Sequence, residues 1–224
     1  MLNMRGSASV DSKMVARMSP PVSGIENWRE GDHPMKKMTN RDSQLRTTAY
    51  REAGQAVAHH RLRGPRRNVG VLSIISYANG AGSVTREEAW FADTYTMQEK
   101  VVILCAGFSA CVAAGIGDAI ARQGCAPDFA KAHEIINAWH LAPFEEHLDE
   151  AGDLMWQPEN LRAVERLADE LTWHLLLLPE EIDVLIGVAD GATSEAELVR
   201  LRAHGLEQIR QRRLSYLSHT YQPR

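Results

Sequence analysis

The sequence has little of what would name a partner outright. It contains three cysteines, Cys105, Cys111 and Cys125, an odd number with no C-x-x-C pair. That argues against a disulfide framework and leads us to expect a reducing, cytoplasmic compartment. No apolar run reaches membrane length. The longest, Val101 to Ile116, is interrupted by Gly107, Ser109 and Gly115 and falls short of the roughly 18 residues a span needs. It reads instead as a helix buried nearly all round. The N-terminus lacks the continuous apolar core of a secretory signal. There is no G-x-x-x-x-G-K-[ST], and the G-x-G at Gly115–Gly117 does not follow a strand, so ATP binding is not expected. The net charge is only −4 and no aromatic-basic motif is present, so nucleic acid is not the expected partner.

What remains describes a globular chain. The 224 residues, 44% hydrophobic and 24% charged, suffice for one substantial domain with appendages. Residues 1–42 read as a flexible tail, since Ser19-Pro20-Pro21 and Gly31-Asp32-His33-Pro34 break any helical period; Ile25 and Trp28 are its two plausible anchors. A helix follows from Asp42 or Ser43 to about Leu62, closed by Gly64-Pro65, with Arg61, Arg63, Arg66 and Arg67 at its negative pole. Val69–Ser76 has strand composition, with a turn at 78–82 and a second strand from Ser83 to Thr85. Helices are expected from Thr96 to Gly115, from Pro127-Asp128 to His140 and from Pro143. A long one should run from Pro158 through Leu178, a short one from Pro179, and a last one from the capping box Ser194-Glu195-Ala196-Glu197. The expected fold is mainly α with a small β-sheet (α+β) and a helical C-terminal half. The core domain should span 43–190, with a helical extension over 191–224.

Charge is unevenly spread. Residues 144–170 carry nine acids (Glu145, Glu146, Asp149, Glu150, Asp153, Glu159, Glu165, Asp169 and Glu170) against Arg162 and Arg166. Residues 200–224 carry six arginines against Glu207. Solvated helix faces are the ordinary meaning of such runs.

The chemistry concentrates at Arg51-Glu52-Ala53-Gly54-Gln55. The zinc-peptidase pattern H-E-x-x-H places two histidines one helical turn apart, with the glutamate beside them as general base. Here Arg51 and Gln55 stand at the histidine positions and Glu52 at the glutamate. The surrounding Thr48-Ala49-Tyr50-Arg51-Glu52-Ala53-Gly54-Gln55-Ala56 resembles the T-A-Y-H-E-A-G-H-A stretch of the FtsH-type ATP-dependent zinc metalloproteases. Further segments follow in the family's order. Val69–Thr85 is similar to its strand pair, Ile103–Ala110 to its L-x-G-R-A-A-E helix, and Ala126-Pro127-Asp128 to its S-N-D-L helix start. Leu167–Leu171 and Leu178–Ile182 are similar to its closing helices. The resemblance covers about residues 43–187 and lacks the ATPase module and the membrane anchors. It implies a zincin-like peptidase domain, with the metal positions falling on Arg51, Gln55 and Asp128 and the catalytic base on Glu52.

Two of those three positions cannot do the family's work. Arginine stays protonated and has no lone pair to give, and a glutamine carbonyl is a weak zinc ligand. Without the metal no bound water is brought to a useful pKa, and Glu52 alone is a poor substitute. The expected arrangement is an ion pair of Arg51 with Glu52, Asp128 or both. The expected function is a catalytically inactive peptidase-like domain that binds a protein or peptide, with no cofactor. One alternative is a metallopeptidase with a rebuilt zinc site from His59, Asp128 and either Cys125 or His133. The other is an arginine-rich adaptor for an acidic partner. Ser83, Ser109 and Cys111 have no placed base, and the adjacent Glu145-Glu146 point in different directions.

Overall fold

The computed structural model describes residues 40–64, 72–74 and 95–220, with side chains from 43 to 207 among them. These contain seven helices and one two-stranded sheet. Helix α1 is Asn40–Arg63, strand β1 Leu72–Ser73, α2 Met97–Ala113, α3 Asp118–Trp139, α4 Phe144–Met155, α5 Pro158–His174, strand β2 Leu176–Leu177, α6 Pro179–Ala189 and α7 Glu195–Thr220. The fold is mainly helical with a small antiparallel sheet, as expected. None of these helices is long and apolar enough to cross a membrane.

Two helices make the centre. Residues 52–59 of α1 and 100–111 of α2 are buried without a break, so neither shows the one-sided stripe of a surface helix. They can lie together because their shared face is nearly free of side chains. A Cβ on Gly54 would sit 2.4 Å from the Ala110 Cβ and 2.7 Å from the Ala106 carbonyl oxygen. Helices α3, α4 and α5 pack around this pair, α3 and α4 on α2 and α5 on α1. Their contribution is the usual apolar one: Ala163, Val164, Leu167 and Leu171 of α5, with Leu185 and Ile186 of α6, are buried in a single cluster with Ala53, Ala56 and Val57 of α1.

Helix ends follow local chemistry. Thr96 caps α2 and exchanges hydrogen bonds with Glu99 in a capping box. Pro158 and Pro179 each occupy the first turn of a helix, where a missing N–H costs nothing. Gly64 closes α1 at φ 78°, its N–H donating to the His60 carbonyl. The arginines expected at this end are used internally: Arg61 forks onto Asp190 and donates to Asn160 Oδ1, and Arg63 lies over the Tyr95 ring and pairs with Glu99. Arg66 and Arg67 lie outside the described residues.

Two expectations about elements are corrected. The helix expected to start at Pro127-Asp128 starts nine residues before Pro127, at Asp118, and Pro127 lies inside it. Residues 118–125, which with 115–117 read from the sequence as a loop or a short turn of helix, are its first two turns. The helix from Pro158 does not reach Leu178. It stops at His174, where Leu175 turns left-handed at φ 61°, and the next two residues form β2. That strand pairs with β1 in the register Leu72–Leu177 and Ser73–Leu176, extended by the Ile74 N–H donating to the Leu175 carbonyl. Strand β1 falls within the expected Val69–Ser76. The expected turn and second strand at 78–85 lie outside the described residues, as does the expected tail up to residue 39. Asn40–Asp42, read as the end of that tail, belong to α1. The expected C-terminal extension contains α7, whose Leu198 enters the main core.

Candidate functional site

The three positions marked by the signature come together in space. Arg51, Glu52 and Gln55 lie on consecutive turns of α1, and Asp128 on α3, 73 residues from Gln55. The Gln55 amide Nε2 donates to Asp128 Oδ2 at 2.8 Å. Arg51 Nε lies 3.8 Å from the same oxygen. Arg51 Nε and Nη2 both donate to Glu52 Oε1, at 3.0 and 2.6 Å, and Nη1 donates to the Gly124 carbonyl at 2.8 Å.

Local structure makes room for this. On α2, Gly107 faces the site: a Cβ there would sit 2.9 Å from Arg51 Cγ and 3.0 Å from Gln55 Nε2. The α3 turn that receives Arg51 is the one before Pro127. Proline has no N–H, which removes the helical donor to the Gln123 carbonyl, and its ring crowds that turn. Arg51 Nη1 takes the Gly124 carbonyl in that turn.

The electrostatics are those of a closed cluster. The Glu52 side chain is 2% exposed, Arg51 13% and Asp128 17%. Burial alone would loosen the proton on Arg51, but the charges of Glu52 and Asp128 outweigh it and tighten the guanidinium's hold. A buried carboxylate is costly without a cation, and a guanidinium held by three hydrogen bonds supplies one. Glu52 is therefore engaged with Arg51.

The other residues named from the sequence are elsewhere. Cys125 is buried beside the cluster in a small group with Cys111 and Phe108. Its thiol is pushed up by a hydrogen bond with the Cys111 thiol and by burial, which makes it a poor thiolate donor. His59 is fully buried and bonded through Nε2 to the Tyr95 hydroxyl, with ring centres 5.1 Å apart. His133 is exposed on α3 and stacks near Phe144, with ring centres 4.5 Å apart. Among the described residues no group of three or more His, Cys, Asp or Glu side chains is placed to hold a metal ion.

The zinc implied by the resemblance was tested against these donors. They do not fit it. A cation already stands between the carboxylates, and Gln55 presents its amide nitrogen, a donor, to Asp128. No hydrolytic step through a metal follows from this arrangement.

Sequence reasoning missed the Gly124 carbonyl, the Gly107 cradle and the Tyr95–His59 pair. The first two had a signal in glycines placed at a helix crossing; the third had none. Compared with models of known protein families, with curated proteins and with solved structures, the chain matches none.

Proposed function

We propose that this chain contains a peptidase-like domain of the FtsH type, zincin-like in fold, that has exchanged its metal for an arginine and binds a protein or peptide without cleaving it. One observation carries the reading. Positions 51, 55 and 128, which the resemblance assigns to a single metal, meet within 3.8 Å at the Asp128 carboxylate although 73 residues separate Gln55 from Asp128. A chance likeness of a short stretch gives no reason for that meeting. The substitutions are also chemically matched: Arg51 replaces the positive charge and Gln55 replaces the bond to Asp128.

The test has two arms. In the first, the protein is mixed with unfolded casein and followed by elemental analysis and mass spectrometry. The expected result is a casein complex with intact chains and no stoichiometric zinc. Cleavage lost in Glu52→Gln, or zinc lost in His59→Ala, would establish instead an active enzyme with rebuilt ligands. In the second arm, Arg51→His with Gln55→His restores the donors beside Asp128. One zinc per chain is expected, with a stabilisation of about 2.7 kcal/mol when free zinc is a hundredfold above its Kd. A folded double variant that takes up no zinc would sever the link to the metallopeptidases.

A further inference from the structure

Helix α7 is a 26-residue helix, about 39 Å long at the usual rise. Leu198 is its only buried residue between 195 and 207. Arg202 ties the same end to the body through Glu170 and Glu181, and Arg166 reaches Glu195. Along the described part, Val199 and Leu206 are large apolar side chains 66% and 69% exposed. Beyond it the helix continues with Arg210, Arg212 and Arg213, and no acidic residue follows Glu207. A helix of this length is marginal in water without a packed face. Its composition asks for an acidic partner with some apolar surface.

This chain carries such a surface. On α4, Glu145, Glu146, Asp149, Glu150 and Asp153 are all exposed, and among the described residues none forms an ion pair. Glu146, Asp149, Glu150 and Asp153 follow the spacing of one helical face. Trp139, at the end of α3 shortly before α4, is 59% exposed and offers the apolar contact that an anchored interface needs.

We propose that the partner of α7 is a second copy of this chain. The arginine-bearing half of α7 from one protomer lies on the acidic α4 face of the other, and the exchange is reciprocal in a closed two-fold dimer. The charges are opposite: Glu146, Asp149, Glu150 and Asp153 along one α4 face against Arg210, Arg212 and Arg213 in α7. The dimer does not depend on the peptidase-like reading of the Arg51 site.

Charge exchange between full-length variants tests it. Wild type is expected to dimerise at about 0.05 M salt in sedimentation equilibrium and to weaken at about 0.5 M, where exposed charges are screened. Arg210→Glu/Arg213→Glu and, separately, Glu146→Lys/Glu150→Lys should each raise the dimer Kd at least about tenfold. Circular dichroism checks that both remain folded. Mixed in equal amounts they should associate again, because in the mixed dimer the reversed α7 meets the reversed α4 at one contact and the two unaltered faces meet at the other. A wild type that is monomeric at both salts overturns the proposal. So do variants that dimerise like wild type, or a mixture that stays monomeric. Binding of a nucleic acid by the monomer, lost in Arg210→Glu/Arg213→Glu, would assign the basic helix to that partner instead.

Discussion

Replacing Arg51 by methionine removes the cation of the central cluster while keeping much of its volume. Glu52, 2% exposed, is then left in the core beside α2 without its counter-charge. The Gly124 carbonyl loses its donor as well. Breaking one side of a buried ion pair costs about 3–5 kcal/mol. The lower end applies here, because Asp128 keeps its bond from Gln55 and, at 17% exposure, retains some water. We therefore expect a loss of about 3 kcal/mol in urea denaturation, or about 6–12 °C in Tm for a domain of this size.

The double-mutant cycle separates that loss from simple loss of packing. Glu52→Gln alone leaves Arg51 with Asp128 and Gly124. Arg51→Met with Glu52→Gln removes both charges of the buried pair, so the double variant should lose about 1.5–3 kcal/mol less than the sum of the singles. Strict additivity, or an Arg51→Met variant within about 0.5 kcal/mol of wild type, would refute the picture of a load carried between Arg51 and Glu52.

Gly54→Ala should destabilise by about 1–3 kcal/mol despite alanine's better helix propensity, because its Cβ would meet the Ala106 carbonyl at 2.7 Å; equal or greater stability would mean that α1 and α2 are not in contact there. The Cys105, Cys111 and Cys125 thiols, all fully buried, should ignore an aromatic disulfide reagent until the protein is unfolded. Burial, helped by Asp128, pushes the Cys105 thiol up to about 12, and fast labelling of the native protein would contradict this. Stability should fall in acid. The Asp190 carboxyl is held down chiefly by its hydrogen bonds from Arg61, and the His60 imidazole is held down chiefly by burial. For Asp190 the contribution is present above the unfolded value near ~3.9 and is lost as pH falls through the lower folded value. For His60 the unfolded chain takes the proton first, so stability declines as pH drops below ~6.5. Denaturation curves from neutral to acid pH check both, and Asp190→Asn should flatten the more acidic part; an unchanged slope would sink the Asp190 assignment.

Much of the helical framework was legible because its signals are local. Thr96 with Glu99, Pro158, Pro179 and Gly64 mark ends through chemistry that needs no distant partner. The α3 start was not legible, because Pro127 carries the same local message as a first-turn proline. What places it mid-helix is tertiary, the neighbouring turn being taken up by Arg51. The α5 end was hidden for a related reason. Leu175 adopts a left-handed conformation that usually advertises itself as glycine. The run Leu175–Leu178 continues an apolar pattern, and only pairing with Leu72 and Ser73, about a hundred residues away in sequence, makes it a strand. At the site, Arg51, Glu52, Gln55 and Asp128 could be named from the motif, since each side chain's chemistry was explicit. Gly107 and the Gly124 carbonyl could not, because a missing side chain and a backbone oxygen carry no motif.

Arg51 and Gln55 make sense only together. A guanidinium at position 51 needs an acceptor on each side, and it finds Glu52 within its own helix and Gly124 across the crossing. Its reach to Asp128, 3.8 Å, is too long for a good hydrogen bond, so Arg51 alone leaves that carboxylate poorly held. Gln55 closes the gap with an uncharged donor at 2.8 Å. A histidine at position 55 would either add a second positive charge or offer a lone pair, where Gln55 gives Asp128 an uncharged donor. A histidine at position 51 would leave Glu52 and Asp128 with less positive charge between them. In the cluster, charge and hydrogen bonding are thus divided between Arg51 and Gln55. Gly107 on the opposing helix is what allows side chains of that length to fit.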